Sequence, residues 1–488
     1  MFGAYVYELS SAEYEKHVLL IDEDGLEEKI GYSAFFAAQG FKIVKYENDL
    51  IYRSRTEGLV RDGRQKILMI ARPDVYIPYD VQKSFRTMKL GIEKLFPKLN
   101  ALALKDKADL DLNLLTLAYK GVFSDLSAYR ATESFIKDRV LGKENVQRYV
   151  TALFRELIED VSNASSYQDW FAVAEKKASI LVLAEQYGIS VDIEEACRPF
   201  VDYVLNDFGK LSSEMAEDTP VLVSRAMDYM HDHSRKYVII VMDGMSEFDW
   251  KILSRSFGGI KYDVTHVMAM IPTVTSVSRQ CLLSNKFPRE LENPWSQSKE
   301  KKEFTDCAKR MGYTDAQIGY ERGYDADFGA AVSCAAIIIN DVDDMVHGQL
   351  QGRTGMYNDI SLLMRQGKLI GTVRRMLRRG FDVYISADHG NVPCTGMGKL
   401  MKSGVETETK SHRMVVLKDF ADKSAILEKY PEIIEYPGYY LDKEFTYLIC
   451  GIGGSFDAKG EEAMNHGGIT IDEVIVPFIK IKAVDNNG

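Results

Sequence analysis

The chain has 488 residues, of which 46% are hydrophobic and 27% charged, with 61 Lys plus Arg against 72 Asp plus Glu and a net charge of -11. This is the balance of a globular protein large enough for two or three domains. The acidic excess excludes a general nucleic-acid coating protein, which carries a basic surface, but leaves room for a local basic cleft that holds a phosphorylated substrate. Six cysteines are scattered singly with no C-x-x-C, so neither a thiolate zinc site nor a disulfide framework is expected. The opening residues MFGAYVYELSSAEYEKH lack the regions of a signal peptide. No run approaches the roughly 18 apolar residues that span a bilayer. The expectation is a reduced, cytoplasmic protein without membrane contact.

Residues 1–98 alternate short apolar runs with helical patterns, which predicts a small N-terminal α/β domain. Its predicted strands are His17–Ile21, Phe41–Tyr46 and Lys66–Ala71. The run HVLLIDEDG resembles the acidic start of a response-regulator receiver, but KILMIARPD places Ala71, not an aspartate, where the phospho-acceptor would end the third strand. Residues 99–233 change to helical periodicity, as in NVQRYVTALFRELIEDV and WFAVAEKKASILVLAEQYG, with apolar positions at i, i+3, i+4 and i+7. They read as a helical bundle, a spacer or a surface for protein partners.

After DHSRK the chain returns to buried strands alternating with helices, the pattern of a mostly parallel sheet flanked by helices over 234–488. The predicted strands are Tyr237–Met242, His266–Ile271, Ala335–Asn340, Asp382–Ala387, Met414–Lys418, Tyr447–Cys450 and Val474–Ile481. Ligands of open α/β sheets bind at the carboxyl ends of the strands. That rule selects Asp243 after YVIIVM, Thr273 and Thr275 after HVMAMIP, Asp341 and Asp343 after AAIIIN, and Asp388 with His389 after DVYISA. His466, in NHGG before the last strand, can close the same rim. Oxygen and imidazole donors without thiolates suit Zn²⁺, Mn²⁺ or Mg²⁺, and the mixed set favours Zn²⁺. Asp343 and His347 stand at i and i+4, on one face of a helical turn.

Each feature alone has a bland reading: a helix cap for Asp243 or Thr275, a surface pair for Asp343 and His347, a turn for Asp388-His389-Gly390. Their conjunction at strand ends of one domain carries the functional one. Two decoys fall away. The glycines of GIGGSFD do not satisfy the dinucleotide-binding pattern, and RRMLRRG reads as the charged C-terminal end of a solvated helix.

Asp243-Gly244, Pro272-Thr273-x-Thr275, Asp343-x-x-x-His347, Asp388-His389-Gly390 and His466-Gly467-Gly468 resemble the alkaline-phosphatase superfamily. More narrowly, VMDGMSEFDW, IPTVTSVSRQ, ISADHGN and NHGGITIDEVIVPFI resemble the PglZ domain of bacterial phage-exclusion (BREX) systems and of some two-component regulators. The resemblance covers Tyr237 to Ile481. It implies two divalent metal ions, one held by Asp343, His347 and His466, the other by Asp243, Asp388 and His389. Thr275 would coordinate the second and act as nucleophile, its hydroxyl activated by the metal. Asn293, in LENPW, would donate to a phosphate oxygen or simply turn the chain before Pro294. Arg279, one helical turn after Thr275, would pair with substrate phosphate or within the domain.

The implied activity is hydrolysis of phosphate esters, diesters preferred, on a nucleotide or oligonucleotide in defence or signalling. No C-x-P-x-R sulfatase motif occurs. The alternative is a metal-stabilised PglZ scaffold that assembles a defence complex without catalysis.

Overall fold

In the computed structural model, which describes residues 1–107, 110–399, 405–407, 411–418 and 423–483, the apolar runs near the N-terminus become strands β1 (His17–Asp22), β2 (Phe41–Tyr46) and β3 (Lys66–Ala71). A fourth, β4 (Arg86–Leu90), was hidden by the alternation of charged and apolar residues in RTMKL. All pairs are parallel, in the order β2-β3-β1-β4. A receiver sheet runs 2-1-3-4-5. Here β2 is again at the edge but pairs with β3, and β1 lies between β3 and β4, so the strand order departs from a receiver, and β3 ends on Ala71.

The chain divides into two compact units, Met1–Ala152 and Leu153–Gly488. The helical stretch expected as one bundle over 99–233 is therefore split. Helices Ala101–Lys105, Leu112–Tyr119 and Tyr129–Phe135 belong to the first unit, and the boundary falls inside the helix Lys143–Asn163. Helices Tyr167–Tyr187, Arg198–Asp207 and Ala226–His233 belong to the second. The reason is burial: a helix joins whichever layer covers its apolar stripe. Tyr167–Tyr187 packs on the helix Glu247–Leu253 and sets Phe171 5.6 Å from the ring of His266. Among the described residues, no helix is long and apolar enough to cross a membrane.

In the second unit six strands form the central sheet. They are β5 (Tyr237–Met242), β6 (Asp263–Met268), β7 (Ile318–Arg322), β8 (Cys334–Ile339), β9 (Asp382–Ser386) and β17 (Ile475–Ile481), in the order β6-β17-β9-β5-β8-β7. Strands β9, β5, β8 and β7 are mutually parallel, and β17 runs antiparallel to both β9 and β6. Every residue of β5 and β8 is buried, as central strands covered on both faces require.

Two predicted strands lie elsewhere. Residues 392–465 form an insertion between β9 and β17, built from β10 (Val392–Gly396), β11 (Val405–Thr407), β12 (Met414–Lys418), β13 (Ile434–Tyr436), β14 (Phe445–Ile449), β15 (Gly454–Ser455) and β16 (Glu462–Asn465). The runs Met414–Lys418 and Tyr447–Cys450 were expected in the main sheet. Instead β12 and β14 pair with each other, antiparallel, in a small sheet of order β11-β12-β14-β13. They are near in sequence, and an antiparallel pair needs no long crossover to bring the second strand alongside the first.

Candidate metal centre and nucleophile

The parallel strands β5, β8 and β9 end side by side, which brings residues distant in sequence to one rim. Asp243 follows β5 directly, its N–H donating to Ile339 O at 2.8 Å at the end of β8. Gly244 then turns with φ 74°, its N–H 3.2 Å from Asp388 Oδ1, and a Cβ there would lie 3.4 Å from the Cα of Asp343. That contact is an ordinary one, and it is the positive φ of the turn that favours glycine here.

Thr275 is the first residue of the helix Thr275–Ser284. Its Oγ1 is 3.0 Å from His389 Nε2 and 3.4 Å from Asp243 Oδ1. The helix is held down on the rim by Ser278, whose hydroxyl donates to Asp388 O at 2.5 Å and accepts from Met270 N at 2.9 Å. A helix N-terminus presents backbone N–H groups and a positive dipole end to an anion.

Both buried imidazoles are oriented by their Nδ1 atoms. His389 Nδ1 is 3.0 Å from Gly390 O, and His466 Nδ1 is 2.9 Å from Thr273 O. Each ring thus donates through Nδ1 and turns Nε2 inward as a lone-pair donor, the arrangement of metal-binding histidines. The two rings stack with centroids 4.2 Å apart. Burial, with His389 alongside, lowers the His466 pKa to about 3, so the ring is neutral at physiological pH.

Ligand atoms gather in two groups, Asp343 with His389 and His466, and Asp243 with Asp388 and His389, each within 4.8 Å. His389 is common to both. His347 stands at the margin: Nε2 is 3.4 Å from Asp343 Oδ2 and its ring 5.4 Å from that of His466, with the side chain 42% exposed. Asp343 Oδ1, Asp388 Oδ2 and His466 Nε2 are buried without a hydrogen bond among the described residues. Orphaned donor atoms of this kind are costly unless a cation completes them. The residues present fit a pair of divalent ions.

The electrostatics agree. Burial pushes the Asp388 carboxyl well above its usual range, and the neighbouring Asp243 carboxylate adds to it. Asp243 is also raised by burial, against the pull of Arg279. Asp343 goes the other way: burial opposes ionisation, but the hydrogen bond from His347 and the imidazoles of His466 and His389 hold it well below the usual value.

Two residues nominated from sequence lie differently. Arg279 is fully buried and is engaged by protein carboxylates: Nη1 pairs with Asp243 Oδ2 and Nε donates to Glu300 Oε2 at 2.6 Å. Asn293 is exposed, and its Oδ1 accepts from Trp295 N at 3.1 Å, so it serves the turn ahead of the next helix.

Several residues around the site carried no legible signal. Glu300, 1% exposed, opens the charged run EKKEFTDCAKR, which reads as a solvated helix. Asn391 Nδ2 bonds both Gly244 O and Asp249 Oδ2, tying the loop after β9 to the loop after β5. Glu473 Oε1 accepts from Gly468 N at 2.7 Å and from the buried Arg413 at 2.9 Å, fixing the turn behind His466. Lys177 is wholly buried in the helix Tyr167–Tyr187 and pairs with Asp472 at 2.5 Å and Glu194 at 2.8 Å. A Cβ at Gly390 would meet Asp472 O at 1.9 Å, so the loop bearing Asp388 and His389 runs in contact with the backbone that Lys177 anchors.

Residues 222–481 match the family described as the BREX system PglZ alkaline phosphatase-like domain. No curated protein matches the chain. Similar solved structures include murine ectonucleotide pyrophosphatase / phosphodiesterase 5, at 13% identity and TM-score 0.37 over 50% of this chain and 88% of that one. The human counterpart is 16% identical, with TM-score 0.36 over 50% and 87%. Phosphonoacetate hydrolase from Sinorhizobium meliloti 1021, in complex with phosphonoacetate, is 11% identical, with TM-score 0.32 over 52% and 92%.

Proposed function

The chain belongs to the family of BREX system PglZ alkaline phosphatase-like domains, and on that premise we propose that it is a two-metal phosphohydrolase with Thr275 as nucleophile. The observation that carries the reading is the position of Thr275 Oγ1, at a helix N-terminus, 3.0 Å from the imidazole common to both ligand groups and 3.4 Å from Asp243 Oδ1. The metal ligands are Asp343, His466 and His347 for one ion and Asp243, Asp388 and His389 for the other. Bound divalent ions, Zn²⁺ from the donor set, lower the pKa of a coordinated hydroxyl and stabilise charge on the attacking and leaving oxygens.

The chain's own residues do the rest. Asp243 and His389 hold the threonine hydroxyl at the rim, and the helix N-terminus behind it faces the phosphate oxygens. As the bond from Oγ1 to phosphorus forms, the bond to the leaving oxygen breaks, and the leaving group departs on the opposite side. Water then cleaves the threonyl ester and restores the hydroxyl. His466, neutral because of burial, keeps Nε2 free as a donor throughout. The preferred substrate class is a phosphodiester of a nucleotide or oligonucleotide, and the BREX description of the family supports a place in phage defence.

The test is hydrolysis of bis(p-nitrophenyl) phosphate and p-nitrophenyl phosphate with Zn²⁺ or Mn²⁺, wild type beside Thr275→Ala. The expected outcome is metal-dependent turnover that falls by at least about 10³-fold in the variant, with the diester cleaved faster. A protein that binds no metal and turns over neither ester leaves the scaffold reading instead.

A further inference from the structure

Arg279 lies one helical turn after Thr275, where a substrate-binding arginine would be expected, yet it is fully buried. Helix geometry places it at i+4 from Thr275, on the same face, and both side chains reach one carboxylate from opposite oxygens. Thr275 Oγ1 is 3.4 Å from Asp243 Oδ1, while Arg279 Nη1 holds Asp243 Oδ2. The same Nη1 is 4.0 Å from Asp388 Oδ2. On the far side, Nε donates to Glu300 Oε2 at 2.6 Å, and Glu300 Oε1 accepts from Tyr320 and, at 3.0 Å, from the half-exposed Arg322. Nη2 is buried and makes no hydrogen bond among the described residues.

Arg279, Asp243, Asp388 and Glu300 are all at most 2% exposed. Two adjacent buried carboxylates repel each other and pay a desolvation penalty unless a positive charge is near. Among the described residues, Arg279 is the lysine or arginine that pairs with these two carboxylates. Among the described residues, the ion-pair partners of Asp343 in the other group are the imidazoles of His347, at 3.4 Å, and His466, at 3.5 Å, with no lysine or arginine.

We infer that Arg279 is the resident counter-cation of the Asp243, Asp388 and His389 group, keeping it assembled without its ion and weakening its hold on that ion. The inference rests on the reading of those three residues as the second ion's ligands. A divalent ion at this group shares both carboxylates with a guanidinium a few ångströms away, and in a water-excluded setting that repulsion is little screened. Glu300 divides the charge of Arg279, so the strength of the repulsion depends on the Arg279–Glu300 pair. Since Thr275 contacts this group, occupancy of the weaker subsite sets how much protein has an activated nucleophile. Turnover then follows free metal concentration across a range set by Arg279.

The experiment is titration of metal-free protein with Zn²⁺ against a chromophoric chelator, with thermal melting of the metal-free form. Wild type takes up two equivalents. In Arg279→Met, one equivalent tightens by about tenfold or more while the other is unchanged, and the metal-free protein melts at lower temperature. Glu300→Gln, which leaves the full charge of Arg279 on Asp243, weakens that same equivalent. It provides the opposite sign even if Arg279→Met does not fold. Two equivalents of unchanged affinity in both variants overturn the inference and leave the two-metal reading standing. So does a weaker equivalent in Arg279→Met, which would make Arg279 only an orienting partner of Asp243. A wild-type protein that takes up no Zn²⁺ overturns both.

Discussion

The N-terminal sheet and the central sheet both end in clustered carboxylates, and they use them in opposite ways. After β1, Asp22 Oδ1 accepts from Leu26 N at 2.8 Å and Oδ2 from Glu27 N at 2.7 Å, while Asp24 accepts from Ile92 N and pairs with Lys105, each at 2.7 Å. The acidic run IDEDG is thus consumed by backbone N–H groups and by Lys89, Lys94 and Lys105. At the rim of the central sheet Asp343 and Asp388 each keep a buried oxygen without a hydrogen bond among the described residues. A cap and a candidate ligand are the same residue type in the same topological position. What separates them is whether the fold supplies donors for all the lone pairs.

The largest effect that sharpens this contrast is on metal content. Asp388→Ala is expected to reduce bound Zn²⁺ in purified protein by at least one equivalent, measured by elemental analysis, while Asp22→Ala leaves it unchanged. Equal metal content in the two variants would erase the distinction.

The buried and exposed lysines of the two regions come next. Lys177→Met strands Asp472 and Glu194 inside the second unit and should cost about 3 kcal/mol or more in urea unfolding. Lys105→Met removes a half-exposed partner of Asp24 and should cost under about 1 kcal/mol. Smaller again is the loss of the cap, where Asp22→Ala is expected to lower stability by about 1 kcal/mol with no change in turnover.

The smallest effect is a difference in the sign of pH dependence. Burial raises Asp249 to about 6, against hydrogen bonds from Ser246 and Asn391. Its folded pKa exceeds the unfolded one, so its contribution is fully present below the ordinary aspartate value and is lost as pH rises through about 6. Asp24 is lowered, since the hydrogen bond from Lys105 and that from Ile92 together outweigh burial. Its contribution is present above the ordinary value and is lost as pH falls below it. Urea midpoints at pH 4 and pH 6.5 should therefore show Asp249→Asn gaining on wild type as pH rises and Asp24→Asn losing on it. Parallel slopes for both would break the comparison.

Much of the architecture was legible because buried parallel strands are continuous apolar runs. Tyr237–Met242 was placed without error, and β8, β9 and β17 to within a residue. The edge strand Ile318–Arg322 went unseen because IGYER is half-buried and mostly polar. The strands of the 392–465 insertion were recognised locally but assigned to the wrong sheet, since local periodicity says nothing about partners. The break at Ala152 was equally invisible, because helices that join different units share one periodicity.

At the candidate site the asymmetry is sharper. Asp243, Thr275, Asp343, Asp388, His389 and His466 could be singled out from the sequence because strand ends converge in any parallel sheet, so the chemistry of the residue after each strand is informative. Which carboxylates and imidazoles gather together, that Arg279 faces Asp243 and Glu300, and that Lys177 and Glu473 brace the loops could be decided only by tertiary structure. Those facts are distances between side chains tens to hundreds of positions apart, and a distance of a few ångströms between buried charges is set by packing across the whole layer, which no window of sequence contains.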